Sequence, residues 1–320
     1  MNRIPSVVGG LVVAFVAAVT AFAQTPSPAT AFKGRLATKA PLLALTQLGP
    51  RLVAVGDFGV ILLSDDAGAT WRQAESVATR NMLTAVTFAD ANRGWAVGHG
   101  GTVLHTVDGG QNWALQTAAG GDVTLLSVWF ENASHGIAVG AFGHAMETND
   151  GGRTWKQLTV GEGDDRDRHL NGIFAIAGGP LIIAAESGTV FRSADNGKTW
   201  AALRLPYAGS VWGGMPLRDG SAIVYGMRGH VLHTRDQGRT WSEVPTGADQ
   251  SLTAGIQLAD GTVVLVGLGG VVARSSDGGR SFASTVRPER QNYAAIAAGA
   301  PGRLVLAGLT GVAAVDLSMK

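Results

Sequence analysis

The chain has 320 residues and no cysteine, and its 25 basic and 24 acidic residues give a formal net charge of +1. The lack of cysteine excludes a disulfide scaffold, and the balanced charge argues against a nucleic-acid partner. With 46 glycines and only 15% charged residues, the composition is typical of an all-β protein with many tight turns and much buried surface.

Residues 1–23 are predicted to be a secretory signal peptide. Arg3 provides a charged start, residues 7–19 are apolar but too few for a comfortable membrane span, and Ala21-Phe22-Ala23 forms a small-x-small cleavage site. An uncleaved membrane anchor is the alternative. Residues 24–30, with Pro-Ser-Pro, are a predicted linker. We therefore expect a periplasmic or otherwise extracytoplasmic protein whose residues 31–320 form one domain.

A phrase of the form Ser/Thr-x-Asp-x-Gly-x-Thr-Trp is repeated along the chain. Its six copies are SDDAGATW (64–71), TVDGGQNW (106–113), TNDGGRTW (148–155), SADNGKTW (193–200), TRDQGRTW (234–241) and SSDGGRSF (275–282). The central aspartates lie 41 to 45 residues apart. A fixed period of this length indicates a repeat architecture.

A Gly-x-x-Gly step runs in phase with this phrase and occurs seven times, with Ala185/Gly188 as the fourth copy. Around each step, short apolar runs are bounded by polar turn residues, which is the pattern of hairpins. No segment after the signal peptide keeps a helical period over a helix length. Four antiparallel strands per repeat are typical of a propeller blade. The predicted fold is all-β, a seven-bladed β-propeller of four-stranded antiparallel blades.

The seventh repeat is incomplete, since residues 293–299, 304–308 and 312–317 supply three strands and no Asp phrase follows. The N-terminus has a matching surplus before the first repeat's own inner strand, at residues 42–46. We expect residues 31–38 to supply the missing outer strand, so that an N-terminal strand closes the ring.

The Asp phrase is predicted to be structural. Its aspartate can accept hydrogen bonds from its own turn, the glycine can take a positive φ, and the aromatic residue can pack against a neighbouring blade. Calcium binding is the alternative, but the spacing lacks the further carboxylates that a calcium loop needs. The structural residues are Asp66, Asp108, Asp150, Asp195, Asp236, Asp277, Trp71, Trp113, Trp155, Trp200, Trp241 and Phe282.

The segment GWAVGHGGTVLHTVDGGQNW (94–113) resembles the photosystem II stability/assembly factor family, a branch of the BNR/Asp-box propellers, and residues 136–155 resemble it nearly as well. The resemblance covers roughly residues 32–317. It implies a non-enzymatic protein that binds a membrane protein or its extracytoplasmic domain and assists assembly or stabilisation of a membrane complex. We expect a monomer without cofactor. Members in thylakoids act in photosynthesis on a membrane reaction centre, and peripheral membrane association through the client is implied.

Sialidases also carry Asp boxes, so a carbohydrate-binding or sialidase-like glycosidase propeller is the alternative function. Such an enzyme needs an Arg-Ile-Pro motif and a tyrosine nucleophile. Here Arg3-Ile4-Pro5 lies in the predicted signal peptide, and Tyr225 and Tyr293 are expected in the core. The step histidines His99, His144 and His230 come from different blades. We therefore predict no catalytic, cofactor or metal site.

Repeat geometry predicts a binding face. In a four-stranded blade, the turn between the second and third strands and the link to the next blade lie at the same end of the ring. The candidate partner-binding residues at this end are Phe58, Phe142, Arg166, Arg168, Glu186, Arg204 and Arg228. The charged link at residues 161–170 is either a mobile loop or a client-docking loop.

Overall fold

The computed structural model describes residues 29–317, so the predicted signal peptide and most of the predicted linker lie outside it. The described chain forms seven antiparallel sheets, and within each sheet the principal strands follow one another in chain order. The first strands of successive sheets pack against one another, which arranges the sheets as the blades of a propeller around a central axis. The predicted seven-bladed all-β propeller is confirmed.

Six blades have at least four strands. Blades 1 and 2 contain β1 (Leu42–Leu48), β2 (Arg51–Gly56), β3 (Ile61–Ser64), β4 (Arg72–Gln73), β5 (Ser76–Val77), β6 (Leu83–Phe88), β7 (Gly94–Gly98), β8 (Val103–Thr106) and β9 (Asn112–Thr117). Blades 3 and 4 contain β10 (Leu125–Phe130), β11 (Gly136–Gly140), β12 (Ala145–Thr148), β13 (Lys156–Gln157), β14 (Leu170–Ala175), β15 (Leu181–Ala185), β16 (Thr189–Ser193) and β17 (Ala201–Arg204).

Blades 5 and 6 contain β18 (Val211–Pro216), β19 (Ala222–Gly226), β20 (Val231–Thr234), β21 (Ser242–Val244), β22 (Leu252–Gln257), β23 (Val263–Gly267), β24 (Val271–Ser275) and β25 (Ala283–Val286). Blade 7 contains β26 (Tyr293–Ala298), β27 (Arg303–Gly308) and β28 (Gly311–Asp316). Six short 3-10 turns occur in the described chain, at Ala37–Lys39, Asp57–Gly59, Ala141–Gly143, Gly163–Asp165, Met227–Gly229 and Leu268–Gly270.

The core lies between blades rather than within them. The second strand of each blade is buried along nearly its whole length, which explains why these strands are continuous apolar runs such as Val263–Gly267. Trp113 of blade 2, for example, packs among Val53 and Leu63 of blade 1. A buried tryptophan removes about 200 Å² from water, worth about 5 kcal/mol before the entropy cost of ordering it.

The Gly-x-x-Gly step is explained by close backbone approach. A Cβ on Gly140, the first glycine in blade 3, would overlap the carbonyl oxygen of Thr124. Gly143, the second, has a φ of 68°, and its Cβ would overlap the carbonyl oxygen of Arg166 in the link to blade 4. The turn therefore rests directly on the link, so both lie at the same end of the ring, as expected from the sequence.

The closure differs from the expected N-terminal strand. Within the described residues, the sheet of blade 7 has three strands, and no N-terminal residue joins it. Instead the 3-10 turn Ala37–Lys39 packs on the start of β28, where a Cβ on Gly311 would overlap the carbonyl oxygen of Thr38. Thr38 thus occupies the place that Arg166 holds beside Gly143, so the N-terminal chain supplies the link between blades 7 and 1 rather than the fourth strand.

Residues 29–36 run away from blade 7, across the link end of blade 1. Gly34 N–H donates to Gln73 of β4 at 3.3 Å, and Ala31 N–H donates to the carbonyl of Val77 at 3.0 Å. Val77 belongs to β5, which pairs in parallel with β9 and gives blade 2 a fifth strand. The N-terminal segment is therefore attached to blades 1 and 2, because Gln73 and the edge of β5 offer it hydrogen-bond partners.

Candidate binding surface

The six Asp turns, each centred on the aspartate of the repeated phrase, share one hydrogen-bond pattern. In blade 3, Asp150 accepts from the backbone N–H of Thr154 at 2.8 Å, and its second carboxylate oxygen accepts from the Thr154 hydroxyl at 2.7 Å. The Thr148 hydroxyl also donates to Asp150, at 2.9 Å. The backbone N–H and then the hydroxyl of Thr154 hold the pKa of Asp150 at about 2. The carboxylate is thus engaged by its own turn.

In four of the six phrases the indole N–H of the closing tryptophan is anchored by the same turn. The indole N–H of Trp113 donates to the carbonyl of Gly110 at 2.8 Å, and that of Trp200 donates to Gly197 at 3.0 Å. Phe282 has no N–H but packs on blade 5 in the same way. Within residues 29–317 no group of three or more His, Cys, Asp or Glu side chains is arranged to hold a metal ion. The hydrogen bonds and packing at these positions support the predicted structural role.

The opposite end of the ring, which we call the turn face, consists of the turns between second and third strands and the links between blades. Four non-glycine residues at the centres of these turns have left-handed backbone angles, namely Phe58 (φ 53°), Phe142 (φ 52°), Ser187 (φ 54°) and Arg228 (φ 54°). This conformation is costly for residues with a Cβ. It also occurs in three of the Asp turns, at Ala67, Asn196 and Gln237, so what distinguishes the turn face is its exposed side chains. Phe58 is 52% exposed and Phe142 is 70% exposed.

Two of the predicted partner-binding arginines are engaged within the chain. Arg168 Nε donates to Asp165 at 2.6 Å, and Arg204 Nη2 contacts both oxygens of the same carboxylate at 2.8 and 2.9 Å. These contacts attach the charged link at residues 161–170 to the outer strand of blade 4. The link therefore has a defined, ion-paired arrangement, and Arg168 and Arg204 contribute to it.

Glu186 is also engaged within the chain, since its carboxylate accepts from the backbone N–H of His169 at 3.0 Å. Two other predicted residues, Arg166 and Arg228, are exposed and form no side-chain ion pair within the described part of the chain. Phe142 lies beside His169, with ring centroids 4.6 Å apart. Phe142, Arg166 and Glu186 are thus brought together around the link between blades 3 and 4.

Phe58 belongs to a separate part of the turn face. Its ring meets Phe32 edge-to-face at 6.1 Å, and the guanidinium of Arg80 lies 4.4 Å from the centre of the Phe32 ring. Sequence reasoning missed Phe32, because it was assigned to a closing strand. It also missed the stacked pair Tyr207 and His230, with centroids 3.8 Å apart, although both residues are adjacent to turn-face elements in the sequence.

The tyrosines considered as nucleophiles lie in the core. Burial raises the pKa of Tyr225 well above its ordinary range. Tyr293 is 5% exposed and donates to Glu289 at 2.8 Å. Burial, followed by the hydrogen bond to Glu289, raises its pKa to about 12. Neither hydroxyl is placed to attack a substrate. None of the helices among the described residues is long and apolar enough to cross a membrane.

These features define a seven-bladed propeller with hydrogen-bonded Asp turns at one end and an exposed, partly aromatic face at the other. The family model described as Photosynthesis system II assembly factor YCF48 matches residues 65–123 and 115–210. Over residues 65–210 the chain is therefore similar to photosystem II assembly factor-like propellers with BNR repeats.

Solved structures agree with this fold. The structure described as YCF48 bound to D1 peptide is 19% identical, covers 89% of this chain and 98% of its own, and has a TM-score of 0.70. YCF48 from Cyanidioschyzon merolae is 18% identical over 87% of this chain and 95% of its own, with a TM-score of 0.67. No curated protein sequence matches the chain.

Fold likeness alone does not assign an activity to this chain. A streptogramin B lyase is 12% identical over 87% of this chain and 93% of its own, yet its TM-score is 0.72. An enzyme and a YCF48 structure are therefore about equally similar to this chain in fold, and its function has to be argued from its surface.

Proposed function

We propose that this chain is a non-enzymatic, extracytoplasmic protein-binding scaffold that assists assembly or stabilisation of a membrane protein complex. The family supports this proposal, since one relative of the same fold is described as bound to a D1 peptide. The observation that carries it is the turn face, where Phe142 is 70% exposed on a backbone held at a φ of 52°.

Exposed aromatic and arginine side chains are the residues that most often dominate protein interfaces. Phe142 and Arg228 are presented by turns that rest on the links below them through Gly143 and Gly229. Because the turns are fixed by this packing, little conformational entropy is lost when a partner binds them. The client is a membrane protein or its extracytoplasmic domain, contacted by a monomeric ring without a covalent step.

The test is capture of the client from cross-linked native membranes, followed by quantitative mass spectrometry. We expect the tagged wild-type protein to recover one membrane protein or complex in near-stoichiometric amount. The double variant Phe142→Ala/Arg228→Glu should recover at least about tenfold less of it, because both residues lie at the proposed interface. Lys198→Glu, an exposed charge reversal in an Asp turn at the opposite end, is the matched control and should leave recovery unchanged.

Equal recovery by the double variant would overturn the assignment of the turn face. If the wild-type protein recovers nothing above background, the protein-scaffold proposal fails. The carbohydrate-binding alternative would then be examined with a glycan array.

A further inference from the structure

Blade 7 has an uncovered outer edge. In the other six blades a fourth strand pairs with the third, as β25 pairs with β24. In blade 7 no strand among residues 29–317 pairs with the outer side of β28. The third strands of the other blades are buried almost throughout, whereas Ala313, Ala314 and Asp316 of β28 are exposed. A six-residue edge with small and apolar residues is an unusually open template for strand pairing.

The same blade also lacks the aromatic residue that precedes each fourth strand. In blade 6, Phe282 packs against the cluster that contains Leu217, the residue after the first strand of blade 5. Leu258 holds the equivalent position after the first strand of blade 6, and within residues 29–317 no aromatic residue at the corresponding place in blade 7 packs against it. At this position the structure has a cavity of about 260 Å³, lined by Leu258, Ala298, Pro301 and Leu317 among others. We call it the blade 7 socket.

We propose that β28 and the blade 7 socket bind an extended segment of a partner protein by strand addition, with an aromatic side chain in the socket. This site is at the rim of blade 7 and is independent of the turn face. The six complete blades indicate the chemistry of the occupant. In each of them the corresponding position in the repeat is a Trp or Phe, and a short antiparallel strand follows it. Main-chain hydrogen bonds and a pocket for one side chain are the usual basis of such binding.

The N-terminal segment of this chain is directed elsewhere. From Thr38, which packs on Gly311, it runs over blade 1 to Val77 and Arg80, so residue 29 lies on the far side of blade 1 from β28. A segment from a partner is therefore the occupant that the described contacts favour.

Repeat equivalence fixes the register of the added strand. In blade 6, Val272 of β24 lies opposite Thr285, which is three residues after the aromatic Phe282. Val312 is the equivalent of Val272. Val272 pairs with Val266, the residue before the first glycine of its step, and Val312 pairs with Ala307, which holds that place in blade 7. The third residue after the partner's aromatic side chain should therefore lie opposite Val312, and the second residue should lie opposite Ala313 rather than Ala314.

The probe is a labelled synthetic peptide, Thr-Trp-Ala-Ala-Leu-Arg-Leu, which is the sequence of residues 199–205 around the fourth strand of blade 4. We expect saturable binding in fluorescence anisotropy, and at least about tenfold weaker binding when the peptide tryptophan is replaced by alanine. In the protein, Ala300→Trp should fill the socket and weaken binding to a similar extent. Ala91→Trp, in the corresponding turn of the complete blade 2, should not.

Disulfide trapping tests the register, because the chain has no cysteine of its own. A peptide with cysteine two residues after its tryptophan should cross-link to Ala313→Cys at least about tenfold faster than to Ala314→Cys, since neighbouring strand residues face opposite sides. The absence of saturable binding, or cross-linking without register preference, would overturn the proposal. The proposal would also be overturned if the free protein dimerised through β28, or if the peptide bound only after residues 24–30 had been removed. In either case the edge would be covered by this chain itself. The two proposals are tested separately: a variant that no longer captures the client through the turn face should still bind the peptide at blade 7.

Discussion

At the scale of single residues, the sequence predicted local hydrogen bonds well but did not predict contacts between residues far apart in the chain. The Asp turns are closed by groups two to four residues apart, such as Ser193, Asp195 and Thr199, so a repeated phrase was enough to predict their geometry. Arg204 and Asp165 are 39 residues apart and meet only because blade 4 and its preceding link fold together. No sequence pattern identified that ion pair, and Arg204 therefore entered the sequence analysis as a free interface residue.

The Asp turns should make the stability of the protein depend on acid pH. The hydroxyl and then the backbone N–H of Thr199 lower the pKa of Asp195 from 3.8 to about 2. Because the folded-state pKa is depressed, the stabilisation is fully present above about pH 4 and is lost as the pH falls towards 2. Asp195→Asn should lower the melting temperature at pH 6, and this difference from wild type should shrink between pH 4 and pH 2. A difference that stays constant over that range would contradict this role.

The buried tryptophans should be the costliest single residues to truncate. Trp113 is 2% exposed, meets Phe88 edge-to-face and donates to Gly110. Trp113→Ala should lower the free energy of unfolding by about 3–5 kcal/mol through the cavity that it leaves. Trp113→Phe should cost less, and Leu115→Ala, on an exposed position of the same strand, should cost under about 0.5 kcal/mol. Urea denaturation measures all three, and equal losses for Trp113→Ala and Leu115→Ala would refute the inter-blade core.

At the scale of strands and links, the repeat period predicted the number of blades, but not how the ring closes. Because the seventh repeat lacks a fourth strand and the N-terminus has extra residues, we expected residues 31–38 to form that strand. The structure uses the surplus as the link beside Gly311, because that glycine leaves room for the Thr38 carbonyl. Periodicity gives the number of units, whereas the path of a terminal segment depends on the hydrogen-bond partners that it meets, here Gln73 and Val77.

Two N-terminal truncations distinguish the link from a closing strand. A protein that begins at residue 37 keeps the 3-10 turn Ala37–Lys39 and should lose only a few degrees of melting temperature. A protein that begins at residue 41 loses the packing of Ala37 and Ala40 on blades 1 and 7 and should melt about 5 °C or more below the first. Equal melting temperatures for the two truncations would show that the turn does not close the ring.

At the scale of the whole molecule, the ring is a rigid support with two different ends. Hydrogen bonds join the inner strands of successive blades, as where Thr84 donates to the carbonyl of Leu125 at 2.6 Å and Thr253 donates to that of Tyr293 at 2.7 Å. One end carries the Asp turns, whose polar groups are engaged within the fold. The other carries Phe142 and Arg228 on strained turns, which is where the proposed client binds.

The most direct test of this account is hydrogen–deuterium exchange of the protein with and without the client recovered from membranes. We expect the client to protect the turn-face peptides around residues 139–145, 163–170 and 226–231, and to leave the Asp turn at residues 193–200 unchanged. Protection of the Asp turns with no change on the turn face would contradict the central claim that this propeller binds its client through the strained aromatic and arginine turns.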